Sequence, residues 1–189
     1  MVKRAPIANV LTLSRILILP PYVLLFYIHH SWANWMAVLL YLYACLTDYL
    51  DGALARYRQQ VSSFGKFLDP VADKLLVLTT FVMLAGTQRL SGVSLVPAII
   101  ILCREIFVSG LREFLSEVHV SVPVTLLAKW KTAIQMVALS FLLGDDVKSL
   151  IWGLHELGLI LLWIAALFTI VTGYQYLRAG FRYIPFNGE

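Results

Sequence analysis

The stretch DYLDGALARYRQQVSSFGKFLDPVADK, residues 48–74, holds four of the chain's eleven acidic residues: Asp48, Asp51, Asp69 and Asp73. It lies in a chain of 189 residues that is 60% hydrophobic and only 14% charged. Soluble domains run at about 45–50% apolar and about 25% charged. Mean hydropathy is +0.80. The bilayer is therefore the solvent for most of this chain. Its apolar runs are long and do not alternate, so the spanning elements read as helices rather than barrel strands.

Working outward from the acidic stretch gives six apolar spans: Val10 to Ile28, Trp32 to Asp51 continuing towards Arg56, Pro70 to Ala85, Val93 to Leu115, Pro123 to Leu143, and Leu150 to Tyr176. Connections are short, so residues 1–189 read as a single transmembrane catalytic domain of all-α class. The run after Met-Val-Lys-Arg resembles a signal peptide, but it is too long and lacks an A-x-A-type site, so it reads as a retained first span. Cys45 and Cys103 fall in apolar runs and read as small buried hydrophobes. The net charge of +4 reads as topology signal and lipid contact rather than nucleic-acid binding.

Orientation follows from the basic residues. With the N-terminus inside, Lys3, Arg4, Arg56, Arg58, Lys66, Arg112, Lys129, Lys131, Arg178 and Arg182 all fall at the cytoplasmic face. Only Arg89 and Lys148 fall outside, which is the positive-inside pattern. Both termini and the acidic cluster then face the cytoplasm, and the fold is expected to hold a polar cavity open to that side.

Asp48 and Asp51 share a helical stripe with Gly52 and Ala55, so one face carries two carboxylates and two small residues. Arg56 follows, a planar fork suited to phosphate. Asp69 and Asp73 are four apart and also share a face. If the two helices pack together, four carboxylates converge, and in a low dielectric they cannot all stay ionised without cations. Hard divalent ions with oxygen ligands resolve the conflict, and two of them form a clamp for displacement at phosphorus. A leftover carboxylate can serve as general base. Simpler readings compete. Asp69-Pro70 reads alone as a helix start, with Asp as N-cap. Asp48 and Asp51 could pair with Arg56 and Lys74 as a structural network. Intramembrane acids also occur in coupled transporters, but neither broken helices nor paired repeats are evident here.

The spacing D-x2-D-G-x2-A-R-x8-G-x3-D-x3-D, from Asp48 through Gly65 to Asp73, resembles the signature of the CDP-alcohol phosphotransferases. The resemblance implies a six-helix fold and a reaction that moves a phosphatidyl group from a CDP-linked donor to an alcohol with release of CMP. It implies that Asp48, Asp51, Asp69 and Asp73 hold two Mg²⁺ (or Mn²⁺) ions and that Asp73 is the base. Gly52 and Ala55 would let the nucleotide lie against the helix, Arg56 would contact the donor's diphosphate, and Ser62 would fall near the nucleotide. NVLTLSRILILP at 9–20, REIFVSGLREF at 104–114 and KWKTAIQM at 129–136 are most similar to the bacterial branch that makes phosphatidylglycerol phosphate. That branch takes CDP-diacylglycerol as donor and glycerol 3-phosphate as acceptor, in the inner membrane, and family members commonly form homodimers.

Asn9, Thr12 and Arg15 recur every three residues and form a polar edge on the donor side, the alternative being helix capping by Asn9 and headgroup contact by Arg15. The acceptor's dianionic phosphate calls for further cations. Arg104, Arg112 and Lys129 are the candidates, with Glu105 and Glu113 to orient or neutralise them. The alternative is a buried Arg104–Glu105 network with basic residues fixing topology, and for Lys131 that alternative is preferred. Serine, phosphatidylglycerol or an inositol phosphate as acceptor, and a cation-coupled transporter, are the competing functions.

Overall fold

The computed structural model describes residues 7–58, 63–117, 126–144 and 153–180, with side-chain environments described for all of these except 7–11, 49–58, 63–67, 69, 117 and 179. Every regular element among them is helical: α1 (Ile7–Leu25), α2 (Ser31–Arg58), α3 (Ser63–Gly86), α4 (Leu95–Glu117, entered through a 3-10 turn at Gly92–Ser94), α5 (Leu126–Leu143) and α6 (Leu154–Gly180). By length and composition, three stretches among the described residues are long and apolar enough to cross a membrane: Gly92–Ser116, Leu126–Leu143 and Leu154–Arg178. A shorter apolar run covers Thr12–Leu25. Large apolar side chains such as Leu17, Val82 and Ile160 are more than half exposed, as expected where the surrounding medium is hydrocarbon. The chain is a membrane protein.

One boundary differs instructively from the sequence reading. The helix α3 begins at Ser63, so Pro70 lies inside it and Asp69 is no N-cap. Proline lacks one donor and disfavours helix in the residue before it, yet here the helix runs through. Likewise α1 runs through Pro20 and Pro21, which leaves the carbonyls of Ile16 and Leu17 without their usual donors four residues on. Membrane helices tolerate this when packing holds the flanking turns, and Tyr22, fully buried, does so directly after the prolines. Its hydroxyl lies 3.0 Å from that of Thr80 on α3.

The chain divides into two compact units, Met1–Leu90 with Ser140–His155, and Ser91–Leu139 with Glu156–Glu189. In the first, α1 packs on both α2 and α3. The inward stripe of α2 is Ala33, Ala37, Tyr41 and Ala44, mostly small side chains that admit a neighbouring backbone. Asp48 continues that stripe one turn further. On α3 the corresponding stripe is Asp73, Leu76, Thr80 and Leu84. Arg15 meets Asp73, and Tyr22 meets Thr80. Both steps are seven residues in the same sense, so α1 and α3 run parallel.

At the other end of this unit Arg89 ties three segments together. Its Nη1 donates to the carbonyl of Leu143 at 2.7 Å, and its Nη2 donates to Asn34 Oδ1 at 2.9 Å. Its guanidinium also lies over the Phe26 ring, 6.0 Å from the centroid. A cation on the last carbonyls of α5 is where the helix dipole favours one.

In the second unit α6 presents Leu162, Ala165, Thr169, Thr172 and Tyr176 inward. Its buried threonines donate to carbonyls four residues back, Thr169 to Ala165 at 2.6 Å and Thr172 to Phe168 at 2.8 Å, which satisfies the hydroxyls inside the helix itself. Two glycines bring α6 close to α4. A Cβ on Gly173 would stand 3.1 Å from Arg104 Cγ, and one on Gly180 would stand 2.9 Å from both δ-carbons of Leu111. The steps 104 to 111 and 173 to 180 are again equal and in one sense, so α4 and α6 run parallel, as one intervening α5 requires.

Candidate active site

The first unit brings two of the four signature aspartates to one point. Asp48 ends the inward stripe of α2, and Asp73 begins that of α3. Between them stands Arg15 of α1, 2% exposed, whose Nη1 donates to Asp48 Oδ1 at 2.7 Å and also to Asp73 Oδ1. The carboxylates are half-buried, 35% and 47% exposed, so they remain open to a ligand on one side. Thr12, one turn before Arg15, is completely buried. Thus α1 contributes a polar edge to this point, and Arg15 belongs to it rather than to a lipid headgroup.

Asp51, Gly52, Ala55 and Arg56 continue α2, and Asp69 lies in α3 ahead of Asp73, but their side chains are outside the description. So is that of Asn9 in α1, and Ser62 lies outside the described residues altogether. Among the described residues no group of three or more His, Cys, Asp or Glu is placed to hold a metal; only two of the four aspartates are within that set. Those two nonetheless pass a direct test of fitness. Oxygens from carboxylates 25 positions apart, on two helices, already converge on one cationic nitrogen, which stands in for a positive ion there. Hard oxygen donors around a positive centre are what Mg²⁺ or Mn²⁺ requires.

The second unit holds a separate charged knot. Glu105 of α4 accepts from Arg104 Nη1 at 3.2 Å and from Lys131 Nζ of α5. Arg104 Nη2 also donates to Thr172 Oγ1 at 3.2 Å. The ring of Tyr176 is flanked by two guanidiniums, Arg104 at 5.6 Å and Arg112 at 5.8 Å from its centroid. Two cations at one ring require more negative charge than the ring alone provides. Lys129 is exposed, whereas Lys131 is 3% exposed. Lys131 is therefore a buried cation of α5, tied into the Arg104–Glu105 network. The signal lay in the helical period, since Lys131 shares a stripe with buried Gln135, Ala138, Leu139 and Leu142. Two buried polar atoms of this unit, Arg104 Nε and Gln135 Oε1, have no hydrogen-bond partner among the described residues. Gln135 was not singled out from the sequence, because an amide carries no charge to mark it. Both cysteines are free thiols, and Cys103 is exposed.

Comparison with known proteins follows the same lines. A family model described as CDP-alcohol phosphatidyltransferase matches residues 5–171. The chain is 50% identical over 171 residues to the CDP-diacylglycerol–glycerol-3-phosphate 3-phosphatidyltransferase of Rickettsia typhi, covering 90% of this chain and 94% of that one. It is 39% identical over 213 residues to the protein of the same name from Cereibacter sphaeroides, covering 94% and 96%. With the one from Shigella flexneri it shares 41% identity over 175 residues, covering 92% and 93%.

Proposed function

Because this chain belongs to the CDP-alcohol phosphatidyltransferase family, we propose that it transfers the phosphatidyl group of CDP-diacylglycerol to glycerol 3-phosphate, giving phosphatidylglycerol phosphate and CMP. The observation that carries the chemistry is the meeting of Asp48 and Asp73 at one cationic point. Those two residues, with Asp51 and Asp69 of the same signature, would hold two divalent ions, Mg²⁺ or Mn²⁺. Bound there, such ions supply electrostatic stabilisation of charge on the diphosphate. Asp73 accepts the proton of the acceptor's 1-hydroxyl. Gly52 and Ala55 leave room for the nucleotide, and Arg56, with Asn9, Thr12 and Ser62, orients the donor.

For the acceptor, the cations of the second unit are the residues to consider. Arg104, Arg112 and Lys129 carry the positive charge that a phosphate monoester needs. The unpaired Arg104 Nε is one donor still to be satisfied, and Gln135 Oε1 is an acceptor suited to a hydroxyl. Buried polar atoms left in this state cost free energy until a ligand or water reaches them. The protein works as a homodimer in the bacterial inner membrane, with six spans forming one catalytic domain and its site on the cytoplasmic side.

An acceptor panel tests this reading. The purified protein receives CDP-diacylglycerol and Mg²⁺, then glycerol 3-phosphate, serine, an inositol phosphate or phosphatidylglycerol, and CMP release and product mass are read for each. Turnover with glycerol 3-phosphate alone is expected. Turnover only with another acceptor would overturn the assignment of Arg104, Arg112 and Lys129, and no turnover with any would point to a transporter or scaffold. In the same assay Asp73→Asn should lose about 10²–10⁴-fold in rate, the range for a general base.

A further inference from the structure

We propose that Arg15 is the resident counter-cation of the aspartate site, the group that a divalent ion must displace from Asp48 and Asp73 when it binds. The inference rests on the metal reading given above and goes beyond it. Arg15 is 2% exposed, and its guanidinium cannot lose its proton to escape burial. It must therefore have anionic partners, and one nitrogen, Nη1, takes an oxygen of each aspartate. Conversely, two carboxylates this close repel each other unless a positive group stands between them. The three side chains come from three helices, so the arrangement holds α1, α2 and α3 together at this level before any metal arrives.

A metal drawing on the same oxygens changes the balance. Mg²⁺ sits at about 2.0–2.1 Å from its oxygen ligands. With Asp48 Oδ1 at 2.7 Å from Nη1, an ion on that oxygen would stand no more than about 5 Å from the guanidinium nitrogen. Like charges at such a separation in a low dielectric repel strongly. Ion and guanidinium therefore compete, and Arg15 sets the metal concentration at which the site loads.

The test reads binding rather than turnover. Mn²⁺ is titrated into detergent-solubilised wild type and Arg15→Gln without nucleotide lipid, and free Mn²⁺ is followed by electron paramagnetic resonance. The variant should bind at least about tenfold more tightly, equivalent to about 1.4 kcal/mol. In EDTA it should melt at a lower temperature than wild type, and the rise in melting temperature on adding Mg²⁺ should be larger. Unchanged or weaker Mn²⁺ affinity in Arg15→Gln overturns the proposal while leaving the metal reading intact. Absence of Mn²⁺ binding in the wild type overturns both. If Arg15→Gln does not fold, Arg15→Lys serves instead: a point charge on a shorter reach competes less well, so affinity should still rise, and no rise refutes the exchange.

Discussion

At the scale of single residues, the buried charges among the described residues fall into groups whose members cannot be removed independently. Glu105 pairs with both Arg104 and Lys131 within the second unit. Removing one member of a buried pair leaves the other uncompensated, typically at about 3–5 kcal/mol. Glu105→Gln is accordingly expected to lower the thermal midpoint in detergent by several degrees. Lys131→Met in that background should recover part of the loss, because it removes the orphaned cation. If the double variant is no more stable than Glu105→Gln, Lys131 is not the partner that matters. The same grouping explains what was legible in the sequence. Arg104 and Glu105 adjoin, so their network was readable from the chain. Arg15 lies 33 and 58 residues from its partners, and no local period announces a contact over such distances.

At the scale of elements, glycine sets how closely α4 and α6 approach. At Gly180 a Cβ would meet both δ-carbons of Leu111 at 2.9 Å, and overpacking of that kind costs about 1–3 kcal/mol. Gly180→Ala should therefore destabilise the protein in thermal melts, and Leu111→Ala in the same chain should relieve the clash. Gly173 differs, because a Cβ there meets the flexible stem of Arg104 at 3.1 Å. Gly173→Ala should move that side chain at small cost in stability and raise KM for glycerol 3-phosphate more than it lowers kcat. An unchanged KM would argue against Arg104 as an acceptor contact. The helices themselves were legible from apolar periodicity, and α2 and α6 start within a few residues of the expected positions. The start of α3 was not. The dipeptide Asp69-Pro70 carries a strong local signal for a helix beginning, yet α3 starts at Ser63 and runs through it.

At the scale of the molecule, the distribution of Lys and Arg predicts which side each connection faces. In right-side-out membrane vesicles from a variant whose two native cysteines are replaced, a single cysteine at Lys148 should react with an impermeant maleimide. One at Arg58 should react only after the vesicles are opened. The opposite result would invert the orientation and place the aspartates on the outer side.

The Arg89 tie also has a consequence for the order of events on the ribosome. Arg89 lies just beyond the end of α3, but the carbonyl it holds, that of Leu143, is synthesised 54 residues later. The first unit likewise draws on Ser140–His155. The three helices that meet at Arg15, Asp48 and Asp73 are thus made early and completed late, after α4 and nearly all of α5 have been made. During that interval Asp48 and Asp73 already have Arg15 beside them, so a nascent chain need not wait for metal to shield its acids from lipid. A polypeptide released before residue 143 would carry the chemical signature whole and still lack the piece that fastens its far end.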